Sequence, residues 1–244
     1  MQSTGNTILI TGGASGIGLA LARRFHSRRN RIILTGRDPH KLARAAASLP
    51  GAFTFPSDIS DPASVDTLCD YIATGHPGLN LLVNNAGVQY AYDFQTTPDI
   101  VSNIAAETAI NFTAPLQLTA RLLPQLSRQP AAAVVFVSSA LYIAPKRSAP
   151  VYCATKSAIH TFAKALRYQL EGSPVKVFDI IPPLVDTAMT ANRSSGKISP
   201  DQLAAIFLRL FENEVYEQHI GKARLLKLLS RLSPALAERI LRNG

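Results

Sequence analysis

Short apolar, β-branched runs alternate with longer stretches of helical period along the 244 residues of the chain. The runs are TILIT (7–11), RIILT (31–35), AFTF (52–55), LNLLV (79–83), AAVVFV (132–137) and VKVFDII (175–181), with a weaker seventh, YEQHI, at 216–220. Strands that are apolar almost throughout, instead of alternating with polar residues, are covered by helices on both faces, as in a parallel sheet built from βαβ units. The pattern therefore predicts an α/β fold. Helix starts support the partition: Asp61-Pro62 offers a cap followed by proline at the first helical position, and Ser199-Pro200-Asp201-Gln202 adds a capping box. In the tail, Leu225, Leu228, Leu229, Leu232 and Leu236 recur at helical spacing opposite basic residues, so the segment at about 221–244 reads as basic, amphipathic and helical.

Length and composition narrow the organisation. A chain of this size buries roughly 70% of its unfolded surface without staples, and no repeat, low-complexity block or Gly/Ser linker divides it, so residues 1–244 are expected to form a single domain. Cys69 and Cys153 lie far apart with no metal-ligand spacing, which fits reduced thiols and a cytoplasmic location. Neither a basic leader with a long apolar stretch nor a run of about 20 apolar residues is present, so a soluble protein is expected. Formal net charge is +9, and residues 221–244 hold six bases against one acid. Without a recognition module the charge does not predict nucleic-acid binding. The basic tail is expected to pack on the body or on a neighbouring subunit; contact with an anionic membrane surface, or a lid over substrate, are the alternatives.

The candidate chemistry sits at the ends of the strands. TGGASGIG follows the first strand and opens a helix, with Gly12, Gly16 and Gly18 in the loop and Ser15 and Ile17 between them. Glycines there let the backbone turn tightly and approach a phosphate that faces the helix N-terminus. After the second strand, Gly36 stands where an NAD-binding fold would carry an acid for the adenosine ribose, and Arg37 follows it. Asp38 precedes Pro39 and reads as a helix cap. NADP(H) is thus preferred over NAD(H) as the expected cofactor. Asp58 and Ile59 end the third strand, Asn85, Ala86 and Gly87 follow the fourth, Asn111 lies in the next helix, and Ser138 and Ser139 close the fifth. In an open α/β sheet these ends line one edge and form one cleft. Tyr152 and Lys156 are four residues apart on a helix, and so share a face. Taken alone, the pair reads first as two amphipathic tethers; as a site, the ammonium favours the phenolate and readies the tyrosine for proton exchange.

In this order, TGGASGIG, NNAG, Asn111, Ser139 and YCATK thirteen residues after that serine, the chain resembles the short-chain dehydrogenase/reductase family in its small single-domain form. The resemblance implies a doubly wound, Rossmann-type parallel sheet of about seven strands with the cofactor across its carboxyl edge. It also implies a catalytic group of Asn111, Ser139, Tyr152 and Lys156: Tyr152 as general acid/base, Lys156 as its activator and holder of the nicotinamide ribose, Ser139 on the carbonyl oxygen, and the Asn111 backbone on a water of the proton path. Pro182, Val185 and Thr187 fall where the family touches the nicotinamide and nearby phosphates, but Pro183 replaces the usual glycine of the Pro-Gly motif, so a backbone contact there is lost or moved. The expected function is NADP(H)-dependent interconversion of a carbonyl and a secondary alcohol on a small organic substrate. A cofactor-binding regulator without turnover is the alternative, disfavoured by the intact proton-transfer residues. A homodimer or homotetramer paired through the Tyr152 helix is also implied. Substrate choice would lie in residues 89–95, 141–150 and 188–197, which carry no readable chemical code.

Overall fold

The computed structural model describes residues 1–192 and 196–242. Seven strands form one sheet: β1 (Thr7–Thr11), β2 (Arg31–Gly36), β3 (Phe53–Pro56), β4 (Leu79–Asn84), β5 (Ala132–Val137), β6 (Val175–Ile181) and β7 (Glu217–His219). Their order is β3-β2-β1-β4-β5-β6-β7, and every pairing is parallel. The weak seventh run is therefore a real edge strand, three residues long and paired with Asp179–Ile181 of β6. Because the order reverses beside β1, a crevice opens outside the carboxyl ends of β1 and β4.

Intervening segments form α1 (Gly16–His26), α2 (Pro39–Ala47), α3 (Pro62–Gly75), α4 (Ile100–Thr108), α5 (Ala114–Leu126), α6 (Pro150–Gln169), α7 (Pro200–Glu212), α8 (Lys222–Leu232) and α9 (Pro234–Leu241). The two-residue period of a strand sends Ile8 and Ile10 to one face and Leu9 to the other. The first face packs on Leu21 and Phe25 of α1, Leu42 of α2 and Phe207 and Phe211 of α7. The second packs on Leu68 and Ile72 of α3, Leu118 and Leu122 of α5 and Ile159 and Leu166 of α6. This two-sided burial is why the strand sequences are so uniformly apolar.

Local capping chemistry sets the helix starts. Asp38 accepts from the backbone N–H of His40 and Lys41, Asp61 accepts from Ala63, and Ser199 and Gln202 close a reciprocal capping box. The tail is broken into two helices at Ser233-Pro234, where proline opens α9. Among the described residues, no helix is long and apolar enough to cross a membrane.

Candidate active site

The glycine loop is shaped by close approach. Gly12 has a φ of +62°, and a Cβ there would lie 3.0 Å from the Ala86 Cα; a Cβ on Gly18 would lie 2.4 Å from the Gly12 carbonyl oxygen. The NNAG segment buttresses the loop. The Thr11 hydroxyl oxygen accepts from the N–H of both Asn85 and Ala86 at 3.0 Å, and Asn85 Nδ2 donates to the Thr11 carbonyl at 2.9 Å and to that of Gly12 at 3.3 Å. Helix α1 starts at this loop with Ser15 at its cap position; the serine side chain makes no capping bond, and no acid occupies the first turn. An unneutralised helix N-terminus facing a glycine cradle suits an anion.

At the far end of the cleft, Arg37 and Lys41 stand with Asp38 and Asp58. Asp38 is committed to capping α2, with its second oxygen 3.6 Å from Lys41 Nζ. Burial works to raise the Asp58 carboxyl, but the Ser60 hydroxyl and N–H and the Arg37 charge prevail and hold it below the usual range. Both acids are engaged, Asp38 with the cap and Lys41, Asp58 with Ser60 and the Arg37 charge, and the two cations line this end of the cleft.

Tyr152 and Lys156 project from α6 into the near end. The Lys156 ammonium lies 5.7 Å from the centre of the Tyr152 ring and donates to the Val137 carbonyl at 2.7 Å. Burial pushes this lysine down to about 8, against the opposing pull of the buried Asp179 carboxylate. Ser139 follows β5 by two residues, with its hydroxyl oxygen accepting from the Leu141 N–H at 3.2 Å. The strand pairing is prolonged past it, since the Ala140 N–H donates to the Pro182 carbonyl at 3.1 Å. Asn111 lies within a π-helical turn, Ala109–Thr113, that links α4 to α5. Its amide grips Val88 twice, accepting from the N–H at 2.8 Å and donating to the carbonyl at 2.9 Å. Gly87 fits between: a Cβ there would meet Asn111 Oδ1 at 3.2 Å and Lys156 Nζ at 3.5 Å.

One cleft of about 340 Å³ is lined by Gly12, Ser15, Gly16, Ile17, Arg37, Asp58, Ile59, Asn85, Ala86, Gly87, Tyr152, Lys156, Pro182 and Thr187. The remaining residues expected there are not part of this cleft's lining. Gly18 is buried under the loop, Asn111 and Ser139 are buried at 1% and 8% exposure, and the Val185 side chain packs into the core while its carbonyl accepts from the Thr190 hydroxyl. Lys41, in the first turn of α2, escaped the sequence reading, although its place just after Arg37 and the Asp38 cap was the available signal. Glu107 was also missed. Fully buried one turn before Asn111, it accepts from the Tyr90 N–H at 3.0 Å and from the Tyr92 hydroxyl at 2.7 Å, fixing the segment that borders the site. Of the expected specificity segment 188–197, residues 193–195 lie outside the described residues; Ala188 and Met189 line the cleft.

Comparison with known proteins agrees with this geometry. Residues 6–198 match the family model described as short chain dehydrogenase. A Bacillus subtilis (strain 168) protein named uncharacterized oxidoreductase DltE is 42% identical over 189 residues, covering 78% of this chain and 75% of that protein. A Staphylococcus aureus (strain MW2) uncharacterized oxidoreductase is 29% identical over 210 residues, 84% of this chain and 90% of its own. Among solved structures, a short chain dehydrogenase from Burkholderia cenocepacia J2315 in complex with NADP superposes with a TM-score of 0.88 at 22% identity over 100% of both chains. A Burkholderia phymatum short chain dehydrogenase/reductase in complex with NAD gives 0.84 at 20% identity over 95% of this chain and 96% of its own. The Rossmann-type sheet, the glycine cradle and the extent of the match together make this chain a member of the short-chain dehydrogenase/reductase family of oxidoreductases.

Proposed function

We propose that the protein is an NADP(H)-dependent oxidoreductase interconverting a carbonyl and a secondary alcohol on a small organic substrate. The observation that carries this reading is the Tyr152–Lys156 pair in the wall of a cleft whose opposite end holds Arg37 and Lys41. The cradle fits a dinucleotide, since side chains at Gly12 or Gly16 would intrude on a positive-φ turn facing the first N–H groups of α1. In this reading the loop and α1 hold the pyrophosphate, Arg37 and Lys41 the adenosine 2′-phosphate, and Lys156 the nicotinamide ribose. The bound cofactor supplies the hydride for reduction and accepts it in oxidation.

The chain's own residues handle the proton and the developing charge. Tyr152 donates its phenolic proton to the carbonyl oxygen, or takes the alcohol proton in the reverse direction. Lys156, still mostly protonated at neutral pH, favours the phenolate form and keeps the tyrosine exchangeable. Ser139 donates its hydroxyl hydrogen to the same substrate oxygen as it gains charge. Asn111 holds Val88 and Gly87 against Lys156, and its backbone serves the water through which the proton is replaced.

The test is a carbonyl panel assayed with NADPH, repeated with Tyr152→Phe. The variant should keep less than about a tenth of turnover, a loss of at least about 1.4 kcal/mol of transition-state stabilisation, while its NADPH dissociation constant stays close to wild type. Retention of more than a tenth would remove Tyr152 as the acid.

A further inference from the structure

A second cavity, of about 690 Å³, adjoins the site. Ala140, Pro183 and Leu184 form its body side, and Leu226, Leu229 and Ile240 of the α8–α9 hairpin form the other. We propose that it is the subsite for an unbranched aliphatic chain carried by the reacting carbonyl, so that the substrate class is long-chain methyl ketones and the corresponding secondary alcohols. This rests on the oxidoreductase reading above.

Continuity with the site comes first. Ala140 directly follows Ser139, and consecutive prolines divide the two spaces: Pro182 lines the cleft and Pro183 the second cavity. A carbonyl held at Ser139 and Tyr152 therefore has this cavity beside it. The Pro183 that departs from the family pattern packs on the start of the hairpin, where a Cβ added to Gly221 would meet its Cγ at 3.6 Å. The hairpin is tied to the loop after Ser139 at two further points. Lys227 Nζ donates to the Tyr142 hydroxyl at 2.8 Å, and the Arg147 N–H donates to the Arg242 carbonyl at 3.0 Å.

The lining then selects the chemistry. Among the described residues it contains no aromatic ring to stack a planar ligand, and Lys222 is the one charged side chain. A sugar or polyol would leave its hydroxyls unpaired there, whereas an alkyl chain loses nothing by desolvation. Leu225, Leu228 and Leu232 stand at 68%, 56% and 78% exposure on the cavity, apolar surface that a bound chain would cover. A flat membrane surface fits less well at the floor of the cavity, where Leu226 is buried and Leu229 half-buried, and where Lys227 is turned inward onto Tyr142.

In the reaction the ketone carbon takes the hydride and its oxygen takes the Tyr152 proton, with NADPH oxidised to NADP⁺. The experiment measures kcat/KM with NADPH for methyl ketones from butanone to decan-2-one, for the wild type and for Leu228→Asp and Leu232→Asp, whose exposed positions favour retention of the fold. The expected result is a rise of about fourfold per methylene over the first added carbons, from the transfer free energy of each buried methylene, and a flattened rise in both variants. Butanone turnover with no chain-length dependence overturns the subsite and leaves the oxidoreductase reading standing. If no ketone is reduced, that reading fails, and the subsite is judged by displacement of a fluorescent fatty-acid probe by alkan-2-ols with NADPH present. Displacement that strengthens with chain length and weakens in the variants supports it, and its absence overturns it. A flat ketone series with Leu228-dependent sedimentation on phosphatidylglycerol vesicles, or with Leu228-dependent self-association, overturns it in favour of a membrane or a second copy.

Discussion

Burying the Lys156 ammonium costs solvation that one backbone carbonyl and the field of Asp179 only partly restore, and the result is a lysine brought down to about 8. Between about pH 8 and 10.5 the unfolded chain holds a proton that the folded chain has released, so this group makes stability rise with pH across that window. Lys156→Met should lose that rise, which thermal unfolding across the window would detect; an identical pH dependence in both proteins would refute the assignment. Activity should move the other way. If the ammonium is needed, kcat/KM declines above about pH 8, and Asp179→Asn, by removing the charge that supports it, moves the decline to lower pH. A pH–rate profile unmoved by Asp179→Asn would count against the lysine's role. At the other end of the cleft, Arg37 and Lys41 should make NADPH bind at least about tenfold tighter than NADH, some 1.4 kcal/mol. Fluorescence titration should show the preference lost in Arg37→Asp. Arg37 and Asp38 were readable as a cation and a cap from their order before Pro39, whereas the Asp179–Lys156 coupling was not, because it joins β6 to α6 through packing between separate segments.

Elements whose form follows local period were the legible ones. Each apolar run became a strand within a residue or two, and Asp61-Pro62 and Ser199–Gln202 became helix starts because caps and prolines act on their own neighbours. The π-helical turn around Asn111 has no such local cause. Its register shift accompanies the grip of the Asn111 amide on Val88, a contact between separate segments. The second cavity was hidden for the same reason, since its walls come from the ends of β5 and β6 and from the tail. Close packing at the glycine loop gives a prediction for its element. Gly18→Ala places a methyl 2.4 Å from the Gly12 carbonyl oxygen, and overpacking against backbone should cost roughly 1–3 kcal/mol and weaken dinucleotide binding. Gly75→Ala, at the end of α3 with open space around the added carbon, should be neutral or stabilising by about 0.5 kcal/mol. Comparable losses in both would show that side-chain room at Gly18 is not what selects glycine.

On the scale of the whole molecule, the open question is what covers α6. Its inner face is spent on the core and the site: Ile159, Ala163 and Leu166 are buried in the sheet packing, and Tyr152 and Lys156 face the cleft. The exposed residues of α6 are Ala154, Thr161, Lys164, Ala165, Tyr168 and Gln169, of which Ala154, Thr161 and Ala165 are small and Tyr168 is 58% exposed. Small side chains at helical spacing let a second helix approach closely, and a two-fold axis would set this face against its own copy. The apolar Val101 of neighbouring α4, 70% exposed, would extend the contact toward the roughly 1,200–2,000 Å² that a stable association buries. We therefore expect a dimer, or a tetramer of such dimers, at micromolar concentration by sedimentation. Ala165→Arg should dissociate it, since a long charged side chain at a closely packed helix contact cannot be paired across the axis with its identical copy. The same substitution should leave the fold intact, because position 165 is exposed in the protomer. A wild-type monomer, or an assembly indifferent to Ala165→Arg, would remove α6 as the interface.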